Sequence, residues 1–269
     1  MTISKKGQRI RTLDDWGEHA GPKRKEHWVA DRSAMECARS WLGVESPAMP
    51  DRVVATLATD GAFGTVETWE AEPEARLSFD TFAGEPRNAD LVVFARDEHG
   101  EFLLAIEAKA DETFGQTVAD ALADAVERKL ENPRSNGVAR IEQLAAALFG
   151  PRPKGSPALN ELRYQLLTAA AGALKAGKDR GVTRVVMLVQ EFVTRLTVEE
   201  KQAANALDLD GFVARLSKGA VQHVEPNRLH GPFRVPGAPL VDTPPDLYVG
   251  KAVCNLIQGA PAALASGTV

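Results

Sequence analysis

The sequence predicts an α/β protein with a mixed sheet flanked by helices, and three observations predict it. Apolar residues recur at helical spacing in HWVADRSAMECARSWL (27–42), where Ala34, Met35, Ala38, Trp41 and Leu42 share a face. Two apolar runs, DLVVFA (90–95) and FLLAIEAKA (102–110), flank the polar DEHG (97–100), which is the pattern of a β-hairpin. After Lys109 the period changes from two to about 3.6, and helical stripes alternate with one more apolar run.

The elements follow in chain order. Residues 1–25 carry Lys5, Lys6, Arg9, Arg11, Lys23, Arg24 and Lys25, and are expected to form a flexible, solvated basic arm. The first helix should end near Gly43, Pro47 and Pro50. VVATLAT (53–59) and ARLSFDTF (75–82) read as strands, with Gly61, Gly64 and Gly84 supplying turns. The hairpin comes next. Phe114, Val118, Leu122, Val126 and Leu130 then lie four apart on one helical face, behind a capping box of Thr113 and Gln116. ENPRSNG (131–137) breaks that helix, and Val138, Ile141, Leu144 and Leu148 mark another. A further helix over 160–175 carries Leu162, Leu166, Ala169, Ala170, Ala173 and Leu174 as its buried stripe. VTRVVMLVQEF (182–192) reads as a strand buried on both faces. Thr197 and Glu200 form a capping box opening a helical hairpin that runs to about Leu216. Residues 219–246 read as loop, LYVGKAV (247–253) as a late strand, and QGAPAALASGTV (258–269) as disordered. The expected organisation is one α/β domain over 26–255, with a helical insertion at about 113–149 and a flexible tail over 256–269.

Composition narrows the function classes. The chain has 269 residues, 44% hydrophobic and 26% charged, with a net charge of −5. That balance belongs to a globular protein and argues against a strongly basic nucleic-acid binder, while leaving room for a local basic groove. Cys37 and Cys254 make no zinc pattern and read as reduced thiols. With no secretory signal and no apolar run of about 20 residues, a cytoplasmic protein without membrane contact is expected. His19, His27, His99, His223 and His230 have no metal-ligand spacing. Phosphate-binding, dinucleotide and GxSxG motifs are absent from the sequence.

The chemistry concentrates in the hairpin. Glu107 and Lys109 are two apart and so project from one face of their strand, while Phe102, Leu104, Ile106 and Ala108 take the other. A carboxylate and an ammonium ending an apolar strand break its pattern, as functional sites tend to do. Asp90 opens the partner strand, so a short turn brings it beside Glu107 and Lys109. Paired Asp and Glu oxygens are hard ligands suited to Mg²⁺, and a nearby lysine can hold an attacking water or neutralise phosphate charge. Phosphodiester hydrolysis fits that set.

Asp90, the hairpin and Glu107-Ala108-Lys109 together resemble the PD-(D/E)xK nuclease superfamily, with its restriction-endonuclease-like fold. The likeness covers roughly residues 27–192. It implies Asp90 and Glu107 as metal ligands, a backbone carbonyl lent by Ala108, Lys109 as the catalytic lysine, and Mg²⁺ with Mn²⁺ as a substitute. The residue before Asp90 is Ala89 where the family has proline, and Pro86 lies further upstream. The family also implies a further acid from the first helix, here Glu36, and polar residues from the second core helix, here Gln165 and Arg163. Glu36 equally fits a capping box with Ser33, Gln165 a satisfied core amide, and Arg163 a solvated surface charge. Asp111 and Glu112 read as helix N-terminal acids. Lys23–Lys25, Pro151–Lys154 and Lys175–Arg180 are candidate segments for contacting nucleic acid, DNA foremost. A homodimer would suit cutting of both strands. The competing readings are a binding module that keeps the fold without the chemistry, and a metal-dependent hydrolase of another substrate.

Overall fold

In the computed structural model, which describes residues 1–22, 25–82 and 87–257, eight strands form one mixed sheet with helices on both faces. The strands are β1 (Thr2–Lys5), β2 (Gln8–Ile10), β3 (Thr68–Leu77), β4 (Arg87–Asp97), β5 (Gly100–Lys109), β6 (Arg184–Val193), β7 (Arg228–Phe233) and β8 (Asp246–Asn255). Their spatial order is β2-β1-β3-β4-β5-β6-β8-β7. β3, β4 and β5 are antiparallel neighbours, whereas β6 runs parallel to both β5 and β8.

The two sheet faces build two cores. Helices α1 (Leu13–Ala20), α2 (Ser33–Leu42) and α3 (Asp51–Leu57) cover one, burying Trp16, Trp41 and Leu57 against Phe102, Leu104 and Ile106. Helices α4 (Val118–Glu131), α5 (Gly137–Leu148), α6 (Tyr164–Asp179) and α7 (Glu199–Leu216) cover the other, against Leu103, Ala105, Val185 and Met187. α6 lies close on the sheet because its inward face is small. A Cβ added at Gly172 would come within 2.9 Å of the Leu77 Cβ.

Several expectations are corrected. Residues 1–22 are two strands and a helix, not a flexible arm. Ile3 and Ile10 are fully buried, and β1 pairs in parallel with β3. VVATLAT is helical: Pro50 and Asp51 start α3, and Val53 and Leu57, one turn apart, are buried while Val54 faces out. β3 begins at Thr68 and ends at Leu77, so residues 78–82 are not strand. α4 starts at Val118 with a capping box from Thr117 and Asp120, and it buries Val118, Ala121 and Ala125. Leu122, Val126 and Leu130 are exposed, because the small alanine face is the one that lets α4 approach α5. α7 is a single helix without a side-chain cap, not a helical hairpin; the Thr197 hydroxyl instead accepts from the Thr194 N–H. Residues 219–246 contain β7. Lys23, Arg24, the Lys25 side chain, Gly84, Pro86 and the tail over 258–269 lie outside the described residues. Among the described residues, no helix is long and apolar enough to cross a membrane.

Candidate active site

The hairpin of β4 and β5 is anchored at its turn and opens at the other end. At the turn, Asp97 is buried and accepts both Arg184 Nη atoms, at 2.9 and 2.7 Å, and the amides of Gly64 and His99. Burial pushes the Asp97 carboxyl up, but the Arg184 guanidinium and these amides outweigh it and hold it below the usual range. The ladder then runs from Asp97 opposite Gly100 to Leu91 opposite Ile106. One step further sets Asp90 opposite Glu107. Glu107 lies on the α6 side with Leu103 and Ala105, whereas at Asp90 the alternation of faces breaks, since Leu91 enters the α2 core and Ala89 the α6 core.

There the strands part. Ala108 donates its N–H to Asp90 Oδ2 at 2.7 Å, so a side chain takes the place of a ladder carbonyl. In an extended strand the N–H and C=O of one residue point to the same edge, which turns the Ala108 carbonyl toward Asp90 as well. β3 is interrupted at the same level. Between the pairs Pro73–Leu91 and Ala75–Ala89, Glu74 has a φ of +49° and faces Asp90 without a ladder pair. Positive φ in a non-glycine residue is a strained conformation that tends to mark functional sites. Glu74, Asp90 and Glu107 therefore stand abreast on three successive strands.

Glu107 is the hub. It is 4% exposed; Oε1 accepts Lys109 Nζ at 2.9 Å and also Gln165 Nε2, and Oε2 accepts Arg87 Nη2. Burial raises its carboxyl, yet Arg87 and Lys109 prevail and hold it below the ordinary value. Burial likewise lowers Lys109, which is 5% exposed, but Glu107 and Asp90 bring its ammonium above the usual range. Lys109 Nζ also lies 5.2 Å from the Phe114 ring centroid. Asp90 behaves differently. Burial and then the Glu107 charge lift its carboxyl to about 8, with Lys109 and the Ala108 amide pulling the other way. Glu74 is also raised, first by burial.

Of the residues singled out in sequence, Asp90, Glu107, Ala108, Lys109 and Gln165 converge here. Gln165 is delivered by the first turn of α6, whose Leu166, Ala169 and Ala170 lock it onto the sheet. Glu36 does not join them. Its helix packs on the opposite sheet face, and its carboxylate accepts the Asp31 N–H at 2.8 Å and Arg39 at 2.7 Å. Ser33 does not cap that helix; it donates to Glu112. Arg163 turns away to the Gly115 carbonyl at 2.8 Å and to Asp208. Glu112 accepts the amides of Ala110 and Asp111 just past β5, and Asp111 pairs with Arg32, so neither serves a helix N-terminus. Sequence reasoning missed Arg87 and Glu74.

The donor set is all oxygen. Asp90, Glu107 and the Ala108 carbonyl suit a hard cation that keeps several waters. Among the described residues, no three His, Cys, Asp or Glu side chains converge on one point. A cation here would take two carboxylates at most, and backbone, water or substrate oxygens would complete its shell.

No curated protein and no solved structure matches the chain. A family model described as a domain of unknown function, DUF6946, matches residues 9–244. That span takes in β3, β4, β5 and α6, which carry every residue of the site, and the chain accordingly belongs to the DUF6946 family.

Proposed function

We propose that this chain is a Mg²⁺-dependent nuclease of the PD-(D/E)xK type, hydrolysing phosphodiester bonds of nucleic acid, DNA foremost, on a restriction-endonuclease-like sheet. The observation that carries the reading is the open end of the hairpin. There the ladder ends one step short of Asp90 and Glu107, Asp90 accepts the Ala108 N–H, and Lys109 is bonded to Glu107. When bound, the cation would polarise the scissile phosphate and lower the pKa of a water.

The chain's own groups do the rest. Burial and the Glu107 charge raise the Asp90 carboxyl, and any proton it holds must leave before it becomes a ligand, which couples occupancy of the site to pH. Lys109, held charged by Glu107, is positioned to orient the attacking water or to neutralise the transferring phosphate. Arg87 supplies a second fixed positive charge that a phosphate can share with Glu107. Gln165 holds the Glu107 carboxylate in one orientation. A homodimer and a cytoplasmic setting belong to the same proposal.

One observation favours a second reading, a binding module without chemistry. Glu107 already accepts from Arg87, Lys109 and Gln165, which is how a purely structural ion-pair network would look. Purified protein incubated with single- and double-stranded DNA and RNA, with Mg²⁺, Mn²⁺ or EDTA, separates the two. The nuclease reading expects cleavage with either metal and none in EDTA; binding without cleavage under every condition supports the module.

A further inference from the structure

A cleft of about 460 Å³ opens beside Glu107, and two of the three side chains that bond Glu107, Arg87 and Gln165, form part of its wall. Its volume lies in the range that encloses a small molecule or a single nucleotide. Its other walls are largely aromatic. Phe79 and Phe114 are 6% and 1% exposed and form its packed base, whereas Tyr164 and Phe82 are half-buried and offer accessible ring surface. Arg140 is fixed in the same wall by Asp80, at 2.5 Å, and lies 6.0 Å from the Phe79 ring.

The cleft does not stop there. A neighbouring one of about 680 Å³ shares Gln116, Arg140 and Tyr164 with it and continues between α4 and α5 to the exposed Arg128 and Arg134. Arginines thus mark a path from Glu107 outward: Arg87, Arg140, Arg128, Arg134. The Nε–H of Arg87 is buried and has no hydrogen-bond partner among the described residues, at the head of the cleft. Arg87 and Arg140 are ion-paired with Glu107 and Asp80, and Glu131 also lines the outer cleft, so the exposed Arg128 and Arg134 are its outermost cations.

Aromatic planes beside a line of arginines are what an unpaired strand needs, because bases stack on the rings while the guanidiniums follow the phosphates. A paired duplex fits poorly. Its bases are already stacked, and offering one to Tyr164 means unpairing it first. Glu107 and Lys109 also sit below the surface, at 4% and 5% exposure, where a flexible strand reaches more readily than a rigid rod.

We propose that this cleft holds one unpaired nucleotide of a single-stranded nucleic acid, its base against Tyr164 and Phe82 and its phosphate led by Arg87 to Glu107. The proposal rests on the nuclease reading for its chemistry, while the base contact stands without any cleavage.

The test uses the full chain in EDTA with oligonucleotides carrying 2-aminopurine, whose fluorescence is quenched on stacking. Single-stranded DNA, single-stranded RNA and a blunt duplex of the same sequence are titrated. The single strands should bind at least tenfold more tightly than the duplex and be quenched, and the two sugars decide which is preferred. Tyr164→Ala should weaken single-strand binding about tenfold and relieve quenching, in keeping with loss of one base–aromatic stack, while Tyr164→Phe retains both. Should Tyr164→Ala fail to fold by circular dichroism, Phe82→Ala gives the same readout. Equal or tighter duplex binding, binding without quenching, or wild-type affinity in Tyr164→Ala overturns the proposal. Quenched, Tyr164-dependent binding with no cleavage in Mg²⁺ sustains it and sinks the nuclease reading. Metal-dependent cleavage of duplex and single strands alike, with no quenching, does the opposite.

Discussion

Replacing Asp90 by asparagine should stabilise the fold at neutral pH while removing the proposed activity. Asparagine keeps the shape and an oxygen able to accept the Ala108 N–H, bonded at 2.7 Å in the wild type. What disappears is a charge the fold disfavours, because Asp90 titrates near 8 against an ordinary value of 3.8. For an acid raised in the folded state, the unfolded chain binds fewer protons across that interval. Stability therefore falls as pH rises from about 4 to about 8 and levels off beyond. Up to pH 7 the window spans about three units at about 1.4 kcal/mol each, an upper bound of about 4 kcal/mol. Solvent access to the half-buried carboxyl and its coupling to Glu107 reduce this to about 1–2 kcal/mol, or a few degrees in Tm. Urea denaturation of both proteins in EDTA at pH 5, 7 and 8.5 is the assay. The variant's advantage should be small at pH 5 and grow to pH 8.5, and Mg²⁺ should stabilise the wild type alone. An Asp90→Asn protein that is less stable at every pH, or whose difference ignores pH, would refute the electrostatic account of this site.

Glu107→Gln should act in the opposite direction on stability. It leaves Arg87 and Lys109 buried without their counter-charge, a loss of about 3–5 kcal/mol readable by the same denaturation, together with loss of cleavage. Lys109→Ala should retain Mg²⁺ affinity by titration calorimetry while turnover drops by about 10²–10³, the scale of a lost charge-stabilising donor. Nucleic-acid affinity should fall as salt rises, with a log–log slope of roughly 0.7–0.9 per phosphate contacted, despite the net charge of −5. Tight binding that ignores moderate salt would rule out the arginine track.

The hairpin was legible because its cues are local. DEHG supplies the turn, the apolar runs supply the strands, and the polar break at Glu107 and Lys109 stands out against them. Gln165 was legible through helical periodicity, since its place next to Leu166 on the inward side of α6 points it at the sheet. Arg87 was not. It lies three residues before Asp90 in a proline-punctuated stretch, and only the extension of β4 back to that residue turns it toward Glu107. Glu74 reads as one acid among several in TWEAEPEARL, and its place opposite Asp90 follows from cross-strand register, which is long-range information. α3 misled because Val53, Val54 and Thr56 have strand propensity, which the Pro50-Asp51 start and the packing of Val53 and Leu57 override. β1 and β2 are too short and too polar to announce themselves. They exist because β3 offers an edge and Ile3 and Ile10 have a core to enter.

The central claim is that Asp90 and Glu107 share a divalent cation, and crystals grown with Mn²⁺ and read by anomalous scattering test it most directly. The account predicts one peak between the two carboxylates, within about 2.1–2.2 Å of an oxygen of each and of the Ala108 carbonyl, with the Arg87–Glu107 contact loosened. It also predicts that the peak vanishes in Asp90→Asn. A site without a peak at millimolar Mn²⁺, with Arg87, Lys109 and Gln165 all still bonded to Glu107, would contradict it and leave the constellation a structural ion-pair network.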